Sequence, residues 1–330
     1  MDAGGTSTRA VLVEDSGRCL GYGTAGGGNP VSWGAEQAAR SVGKAVAGAL
    51  AQAGMTGPLD VGVVTLAMAG GTSTPSLEEM QAALRGLGLT GTVVPESDLL
   101  ATFCAGTPSL QGYALVSGTG AAAIRVCGGS TAASADGLGW LLGDEGSGFW
   151  IGHRVARAAA AALDGWGPAT RLSALLLQEL GITDDGRTET GRSVALAEAV
   201  RTLYRGRPVE LSRFAALAFR AAGVSRGDGE TPDPVAVTIL QQARSRLVAV
   251  LGAVRRDDVV GPVVLGGGIA RRLPGLADAI ADSVGSDRRV DVVIVADGAV
   301  GAGVLALRRA GIAVDRQVFD RLVSSVAQLR

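Results

Sequence analysis

Short apolar runs alternate along the chain with longer segments in which apolar residues recur every three or four positions. The short runs are rich in β-branched residues and predict strands at residues 10–13, 61–66, 92–94, 113–116, 122–126, 263–265 and 290–295. The longer segments have helical periodicity and cover residues 35–53, 77–87, 148–162, 194–204, 211–222, 234–255, 299–310 and 316–329. This alternation predicts an α/β protein with buried sheets.

The length of the chain indicates more than one domain. Its 330 residues correspond to about two domains at roughly 150 residues each. We predict an N-terminal domain of residues 1–105 and a C-terminal domain of residues 106–330. The last helix, about residues 315–330, is expected to pack back on the N-terminal domain. Polar segments with glycine at residues 184–191 and 223–233 predict surface loops.

The charge balance excludes several classes of partner. The 30 basic and 31 acidic residues give a net charge of -1, which provides no electrostatic attraction for nucleic acid or for an anionic membrane surface. The longest uncharged stretch, residues 99–124, is interrupted by glycine, proline and polar residues, so it predicts no membrane-spanning helix. We expect no signal peptide, because Asp2 and Arg9 flank a glycine-rich start rather than an apolar run. We therefore expect a soluble cytoplasmic protein.

Few residues are available for metal clusters or nucleophilic triads. The chain has one histidine, His153, and three cysteines, Cys19, Cys104 and Cys127. Their spacing allows no CxxC pair and no zinc cluster of cysteine and histidine. Acid–base chemistry therefore falls mainly to aspartate and glutamate. Glycine is abundant, with 51 residues, and we expect it to serve tight turns and close approaches of the backbone.

One internal repeat points to a binding function. Residues 4–13 (GGTSTRAVLV) are echoed by residues 117–126 (SGTGAAAIRV). Each copy is a glycine turn with hydroxyl side chains followed by a strand, and free N–H groups in such turns form concave anion sites. Two ordinary tight hairpins are the alternative, but the duplication and the preceding Asp2 favour phosphate binding. No Walker sequence is present, and the GxGxxA match at residues 118–123 precedes a strand rather than the helix that a dinucleotide site requires.

Four motifs occur in an order that resembles a known family. They are DAGGTST at residues 2–8, SGTG at 117–120, GDEGS at 143–147 and VLGGGIA at 264–270. Together they resemble the BadF/BadG/BcrA/BcrD group of the actin-like ATPase and sugar kinase superfamily, and within it N-acetylglucosamine kinases. The resemblance covers essentially the whole chain. Activators of acyl-CoA dehydratases and ROK sugar kinases fit less well, because their cysteine motifs are absent.

The resemblance implies a fold, two cofactors and their binding residues. The fold would be a two-domain actin-like ATPase (ribonuclease H-like) fold with a duplicated core and an interdomain cleft. ATP and Mg²⁺ would be the cofactors, and Asp2 would hold the magnesium ion. The two turns would hold the phosphates through Gly4, Gly5, Thr6, Ser7, Thr8, Ser117, Gly118, Thr119 and Gly120. Gly266, Gly267 and Gly268, before a helix near Ala270, would approach the adenosine.

The resemblance also implies a catalytic base and sugar-binding residues. Asp98 would accept the proton of the sugar's 6-hydroxyl group, with a helix N-cap as the alternative role. The sugar would be bound by Asn29, Gly70, Gly71, Asp98, Asp144 and Glu145. Asn29 could instead be a turn residue, and Asp144 or Glu145 could cap the helix that follows.

The activity implied is ATP-dependent phosphorylation of N-acetylglucosamine at its 6-hydroxyl group. Glucosamine kinase and a non-catalytic regulator that responds to sugar or nucleotide are the alternatives, and a homodimer is left open. In the family, the counterpart of Asp2 follows several apolar strand residues, whereas only Met1 precedes it here. We therefore expect a native chain that extends upstream by roughly five to ten apolar residues, which would pair backbone groups otherwise left unpaired.

Overall fold

The computed structural model describes residues 1–69, 74–183, 186–187, 191–224, 231–283 and 290–330. The strands are β1 (Asp2–Ala3), β2 (Thr8–Val13), β3 (Cys19–Ala25), β4 (Leu59–Met68), β5 (Leu89–Ser97), β6 (Gly112–Ser117), β7 (Ala121–Cys127), β8 (Ser130–Asp136), β9 (Val263–Gly266) and β10 (Val292–Ile294). The helices are α1 (Pro30–Trp33), α2 (Ala35–Gln52), α3 (Thr74–Gly86), α4 (Asp98–Gly106), α5 (Gly148–Asp164), α6 (Leu172–Leu180), α7 (Val194–Leu203), α8 (Ala215–Ala221), α9 (Pro234–Val254), α10 (Leu276–Asp282), α11 (Ala299–Arg309) and α12 (Arg316–Leu329). A 3₁₀ helix, Pro208–Phe214, precedes α8.

The described strands form two sheets that repeat one arrangement. The first has the order β3-β2-β1-β4-β5 and the second β8-β7-β6-β9-β10. In each sheet the first three strands are antiparallel neighbours, and the last two run parallel to the central strand. The predicted α/β fold with a duplicated core is therefore confirmed.

Two strands that the periodicity did not predict complete the sheets. Strand β3 carries glycines because α2 packs directly on it: a Cβ atom at Gly21 would lie 1.9 Å from the Ala49 carbonyl oxygen, and one at Gly23 would lie 2.0 Å from that of Ala45. Strand β8 is an edge strand of small and polar residues with mostly exposed side chains. Neither strand has the alternation of apolar and polar residues on which strand prediction relies.

The predicted helix near Ala270 is wrong. Residues 268–275 form turns, and α10 begins only at Leu276. The backbone N–H groups of Ile269 and Ala270 donate to the Ser117 carbonyl oxygen, at 2.9 and 3.1 Å, and so tie this segment to β6. The predicted helix at residues 211–222 is divided between the 3₁₀ helix and α8, and α6 was not predicted.

Helices α4 and α11 lie between the two sheets. A Cβ atom at Gly301 of α11 would meet the Ala101 carbonyl oxygen of α4 at 1.7 Å, so the two helices touch through their backbones. The Thr65 hydroxyl of the first sheet donates to the Ala302 carbonyl oxygen at 2.7 Å. In the second sheet, Val264 contacts the end of α4 at Gly106. Helix α12 covers β3, where the Cys19 N–H group donates to the Ser325 hydroxyl at 2.9 Å.

A cavity of about 390 Å³ lies beside the short strand β1. It is lined by β2, β4 and α11, with Val11, Val63 and Ala302 among its residues. The N-terminal ammonium group of Met1 lies at this cavity and donates to the Thr65 carbonyl oxygen at 2.7 Å. Burial lowers the pKa of this ammonium group to about 6. Asp98 does not line the cavity, so the candidate site is elsewhere.

None of the helices among the described residues is long and apolar enough to cross a membrane.

Candidate active site

Two carboxylates of the first sheet define the candidate site. Asp2 lies on the central strand β1, where it pairs with Arg9 of β2 and Ala67 of β4. Asp98 is the first residue of α4, immediately after β5 ends at Ser97. The N-cap of α4 is Ser97, whose hydroxyl accepts from the Leu99 and Leu100 N–H groups at 3.2 and 3.4 Å. Capping therefore does not require Asp98, although its carboxylate also accepts from the Leu99 N–H group at 2.9 Å.

The electrostatic environment raises the pKa of both carboxyl groups. Burial raises the pKa of Asp98 to about 6, and the negative charge of Asp2 adds to the effect. Burial also raises the pKa of Asp2, whereas the hydrogen bond that Asp2 accepts from the Gly298 N–H group lowers it. Removing a carboxylate from water disfavours its charged form, and a second carboxylate nearby does the same. The pair is therefore suited to accept a proton or to attract a cation.

Three residues around Asp2 were missed by the sequence analysis. The Gly298 N–H group donates to Asp2 Oδ2 at 3.0 Å, and the Arg9 guanidinium lies 3.7 Å from the same oxygen. Arg9 also pairs with Asp297 at 3.2 Å, and Arg330 reaches Asp297 at 2.7 Å. The sequence signal that could have identified Asp297 and Gly298 is the Asp-Gly dipeptide directly before the apolar helix α11.

The donor set at Asp2 fits magnesium bound together with a nucleotide. Among the described residues, no group of three or more His, Cys, Asp or Glu side chains could hold a metal ion. Mg²⁺ commonly takes one or two protein carboxylates and completes its octahedral shell with phosphate oxygens and water. Asp2 supplies one such carboxylate, and its negative charge acts on the nearby Asp98.

The first glycine turn joins β1 to β2 and is held by hydrogen bonds within the turn and to residues 26–33. The Gly4 N–H group donates to the Ser7 carbonyl oxygen at 3.0 Å, and the Gly28 N–H group donates to the Gly4 carbonyl oxygen at 3.0 Å. The buried Thr8 hydroxyl donates to the Gly26 carbonyl oxygen at 2.8 Å, which gives this side chain a structural role. Gly5 and Thr6 are exposed, and Ser7 is half-buried, so this part of the turn can meet a ligand.

The second glycine turn joins β6 to β7 and is packed against three other segments. The buried Ser117 hydroxyl donates to the Gly146 carbonyl oxygen at 3.1 Å. The Gly148 and Phe149 N–H groups donate to the carbonyl oxygens of Gly118 and Thr119, at 2.7 and 3.1 Å. The structure thus joins this turn to the beginning of α5.

The glycine triplet lies against the same turn. Gly267 has φ +90°, and a Cβ atom there would lie 2.3 Å from the Ser117 carbonyl oxygen. A Cβ atom at Gly266 would lie 2.6 Å from Thr102 Cγ2 of α4, whereas the space beside Gly268 is open. Close packing within the protein therefore explains the first two glycines, and Gly268 is the one with room for a ligand.

Asp144 and Glu145 have different surroundings. Asp144 Oδ1 accepts from the Ala121 N–H group at 3.0 Å, and a Cβ atom at Gly120 would lie 2.6 Å from that oxygen. Asp144 therefore lies directly against the second turn, and burial raises the pKa of its carboxyl group. Glu145 Oε2 accepts from the Trp150 indole N–H group at 2.9 Å and pairs with Arg246 at 3.4 Å.

Asn29 is buried and forms local hydrogen bonds. It is the N-cap of α1, with its side-chain oxygen accepting from the Val31 N–H group at 2.8 Å. Its amide nitrogen donates to the Ala69 carbonyl oxygen at 3.1 Å. The alternative role as a turn residue thus has direct geometric support. Gly70 and Gly71 lie outside the described residues.

Helix α4 connects the two halves of the candidate site. A Cβ atom at Gly298, the residue bound to Asp2, would lie 3.5 Å from Ala101 Cβ. Thr102, the next residue of α4, contacts Gly266. The residue after Gly266 is Gly267, which packs on the Ser117 carbonyl oxygen. The carboxylate pair and the second turn therefore lie on two sides of the first turns of one helix.

Comparisons with known proteins agree with this architecture. The chain is 27% identical over 195 residues to the N-acetyl-D-glucosamine kinase of Dictyostelium discoideum. It is 29% identical over 121 residues to the N-acetylmuramic acid/N-acetylglucosamine kinase of Clostridium acetobutylicum. These matches cover 56% and 36% of this chain and span 60% and 38% of the relatives' own lengths.

A solved structure is similar along nearly the whole chain. This candidate N-acetylglucosamine kinase from Chromobacterium violaceum superposes with a TM-score of 0.72 at 26% identity, covering 93% of this chain and 96% of that one. The sequence pattern of the BadF/BadG/BcrA/BcrD ATPase family matches residues 1–306. With its duplicated sheets and its ordered glycine motifs, the chain belongs to the BadF/BadG/BcrA/BcrD ATPase family.

Proposed function

We propose that this protein is a sugar kinase that transfers a phosphoryl group from ATP to the 6-hydroxyl group of N-acetylglucosamine. The observation that carries the proposal is the buried Asp98 carboxyl group, whose pKa is raised to about 6 beside Asp2. A general base with a pKa near 6 is ionised at neutral pH yet still takes up a proton readily. Family membership and the names of the relatives support a sugar kinase that acts on N-acetylglucosamine, and the choice of the 6-hydroxyl group is part of the proposal.

Phosphoryl transfer depends mainly on positioning and on stabilising negative charge. In the proposal, Asp98 accepts the proton of the attacking hydroxyl group. Asp2 would hold Mg²⁺, which would neutralise charge on the phosphates when bound. In the proposal, Gly5, Thr6 and Ser7 of the first turn and Thr119 and Gly120 of the second offer N–H groups and hydroxyls to the phosphates. The Gly4 and Gly118 N–H groups donate within the turns, and the Thr8 and Ser117 hydroxyls maintain them. Gly268 leaves space for the adenosine.

The proposed sugar ligands are Asn29, Asp98, Asp144 and Glu145, with Gly70 and Gly71 outside the described residues. The surroundings of two glutamates favour an acetamido group over a free amine. A 2-amino group would need an available carboxylate, but Glu96 is buried in an ion pair with Arg309 at 2.6 Å. Glu145 Oε2 accepts from Trp150 and pairs with Arg246, so its negative charge is already paired and favours a neutral sugar hydroxyl over a 2-amino group as its ligand. Glucosamine is therefore the second candidate substrate.

We also propose two domains, residues 1–105 and 106–330, that close around the substrates. Closure would exclude water, which otherwise competes as the phosphoryl acceptor. Helices α11 and α12 belong to the second segment by sequence but contact the first sheet. In the proposal, α11 and α12 transmit the movement of one sheet to the other when the domains close.

The test of the proposed function is ADP release measured with ATP, Mg²⁺ and one sugar at a time. N-acetylglucosamine, glucosamine, glucose and N-acetylmuramic acid form the panel, and phosphorus NMR of the product locates the phosphate. We expect the highest kcat/KM with N-acetylglucosamine and a 6-phosphate product. A higher kcat/KM for glucosamine would overturn the choice of sugar. Nucleotide binding without turnover of any sugar would favour the regulator.

A further inference from the structure

Asp136, at the end of strand β8, belongs to none of the four motifs but binds one of them with its side chain. Its Oδ1 accepts from the Asp144 N–H group at 2.7 Å, and its Oδ2 accepts from the Glu145 N–H group at 2.8 Å. Both carboxylate oxygens therefore hold consecutive backbone amides of the segment 143–147. Hydrogen bonds to an ionised acceptor are shorter and stronger than neutral ones.

The backbone at both ends of this contact is unusual. Asp136 has φ 62° and Asp144 has φ 59°, and these are the non-glycine residues with positive φ in the described part of the chain. Such conformations persist only where surrounding contacts hold them. The loop also needs a glycine beside the carboxylate, because a Cβ atom at Gly143 would lie 2.2 Å from Asp136 Oδ1.

The contact continues from Asp144 to the second glycine turn. With its backbone fixed by Asp136, Asp144 directs Oδ1 at the Ala121 N–H group, 3.0 Å away. Asp136 is itself anchored beside that turn, because it pairs with Ala122 in the β7–β8 ladder. Asp136, Asp144 and the turn thus form one hydrogen-bonded unit at one end of the second sheet.

We propose that Asp136 is a positioning residue that fixes Asp144 against the second glycine turn and so sets the geometry of that turn for the phosphates of ATP. The inference rests on the proposed function, because it takes the turn as a phosphate site. It adds a nucleotide-side role for the segment 143–147 to the sugar contacts proposed for Asp144 and Glu145. A loss of this contact lets Asp144 leave the left-handed conformation and releases the turn.

The test combines hydrogen exchange with steady-state kinetics on the full chain. Asp136→Asn keeps a side chain that tolerates positive φ but replaces one acceptor oxygen with a donor. We expect amide exchange in residues 143–147 to become at least about tenfold faster, because local opening sets the exchange rate. We expect the KM for ATP to rise at least about fivefold. The KM for sugar should rise by less than the KM for ATP, because Asp144 and Glu145 are also proposed sugar ligands. Ser134→Ala, on the same strand, is the matched control and should change neither quantity.

Each outcome bears on a different part of the proposal. Unchanged exchange in Asp136→Asn would overturn the positioning role. Faster exchange with an unchanged KM for ATP, or with a rise only in the KM for sugar, would overturn the link to the nucleotide. If Asp136→Asn does not fold, Gly143→Ala pushes on the same carboxylate from the loop side and should give the same two changes. A wild-type protein that phosphorylates no sugar would refute the proposed function alone, since the exchange measurement would still decide the positioning role.

Discussion

The two glycine turns occupy equivalent places in the duplicated sheets but are built from different chemistry. In the first hairpin, the ladder pair one step from the turn is Asp2 with Arg9. In the second hairpin, the corresponding pair is Val116 with Ala122. The second turn obtains its carboxylate from Asp144, which arrives on a separate loop after β8. Duplication thus preserved the strand order, whereas the charged groups differ between the halves.

The two turns are also held by different segments. The Gly28 N–H and Trp33 indole N–H groups donate to the carbonyl oxygens of Gly4 and Gly5 in the first turn. The second turn is bound by Ser117, by the beginning of α5 and by the segment at Ile269 and Ala270. We infer that the first half supplies most of the acid–base chemistry and that Asp144 in the second half acts mainly by positioning. The predictions below test this division.

The largest effect is expected for the carboxylate pair of the first half. Asp98→Asn should lower kcat at least about 100-fold, the usual scale for loss of a general base. Asp144→Asn, in the second half, should lower kcat by only about tenfold, because it alters positioning rather than proton transfer. Initial-rate assays at saturating ATP and sugar measure both. Equal losses in the two variants would remove the distinction between the halves.

Asp2→Asn tests the proposed metal carboxylate. We expect the Mg²⁺ concentration that gives half-maximal rate to rise by about tenfold, because a hard cation loses an anionic oxygen ligand. The measurement is a magnesium titration of the rate at fixed ATP. Asp15→Asn changes an exposed carboxylate after β2 and serves as the control. An unchanged magnesium requirement in Asp2→Asn would argue against its role.

The raised pKa of Asp98 predicts a pH-dependent stability difference. The folded state binds this proton up to pH about 6, whereas an ordinary carboxyl group loses it near 3.8. The free energy of unfolding therefore falls as pH rises through this window and Asp98 ionises, by about 3 kcal/mol in total. Asp98→Asn should match the wild type in unfolding free energy near pH 4 and exceed it by up to about 3 kcal/mol at pH 8. Denaturant titrations at both pH values check this, and a less stable variant at pH 8 would indicate a structural role.

Two helix-capping serines provide a smaller comparison of the halves. Ser97 caps α4, and the buried Ser147 caps α5 through the Trp150 N–H group at 3.1 Å. Ser97→Ala and Ser147→Ala should each lower the unfolding free energy by about 1 kcal/mol. Ser97→Ala should also reduce kcat, because it loosens the residue before Asp98. Equal kcat values for the two variants would contradict this.

Closure of the two proposed domains is the smallest change expected. Small-angle scattering with sugar and a non-hydrolysable ATP analogue should give a radius of gyration about 1 Å smaller than without ligands, as lids and domains close on their substrates. Sugar alone and nucleotide alone are the matched controls. An unchanged radius with both ligands would argue against closure.

The sequence alone determined the class of fold, the repeated turns and the family. Helix α9 was predicted because it buries a regular apolar face, and strand β4 was predicted because it contains a short run of β-branched apolar residues. The two hairpins were recognisable because glycine and hydroxyl residues recur at the same spacing. The order of the four motifs identified the family, and the match over residues 1–306 confirms it.

Only the tertiary structure decided which side chains meet. The apolar pattern did not predict strand β3, because its close packing on α2 requires glycine. A helix was predicted after Gly268, but the Ile269 and Ala270 N–H groups donate to the Ser117 carbonyl oxygen and the segment forms turns. Arg9 meets Asp2 across the first hairpin, whereas Asp297 and Gly298 reach the same site from the other end of the chain, a contact that only the folded structure shows. Asp136 belongs to no motif, and the role that we propose for it rests on contacts that exist only after the second sheet has formed. Local patterns fix elements because they depend on neighbouring residues, whereas a site depends on contacts between residues far apart in sequence.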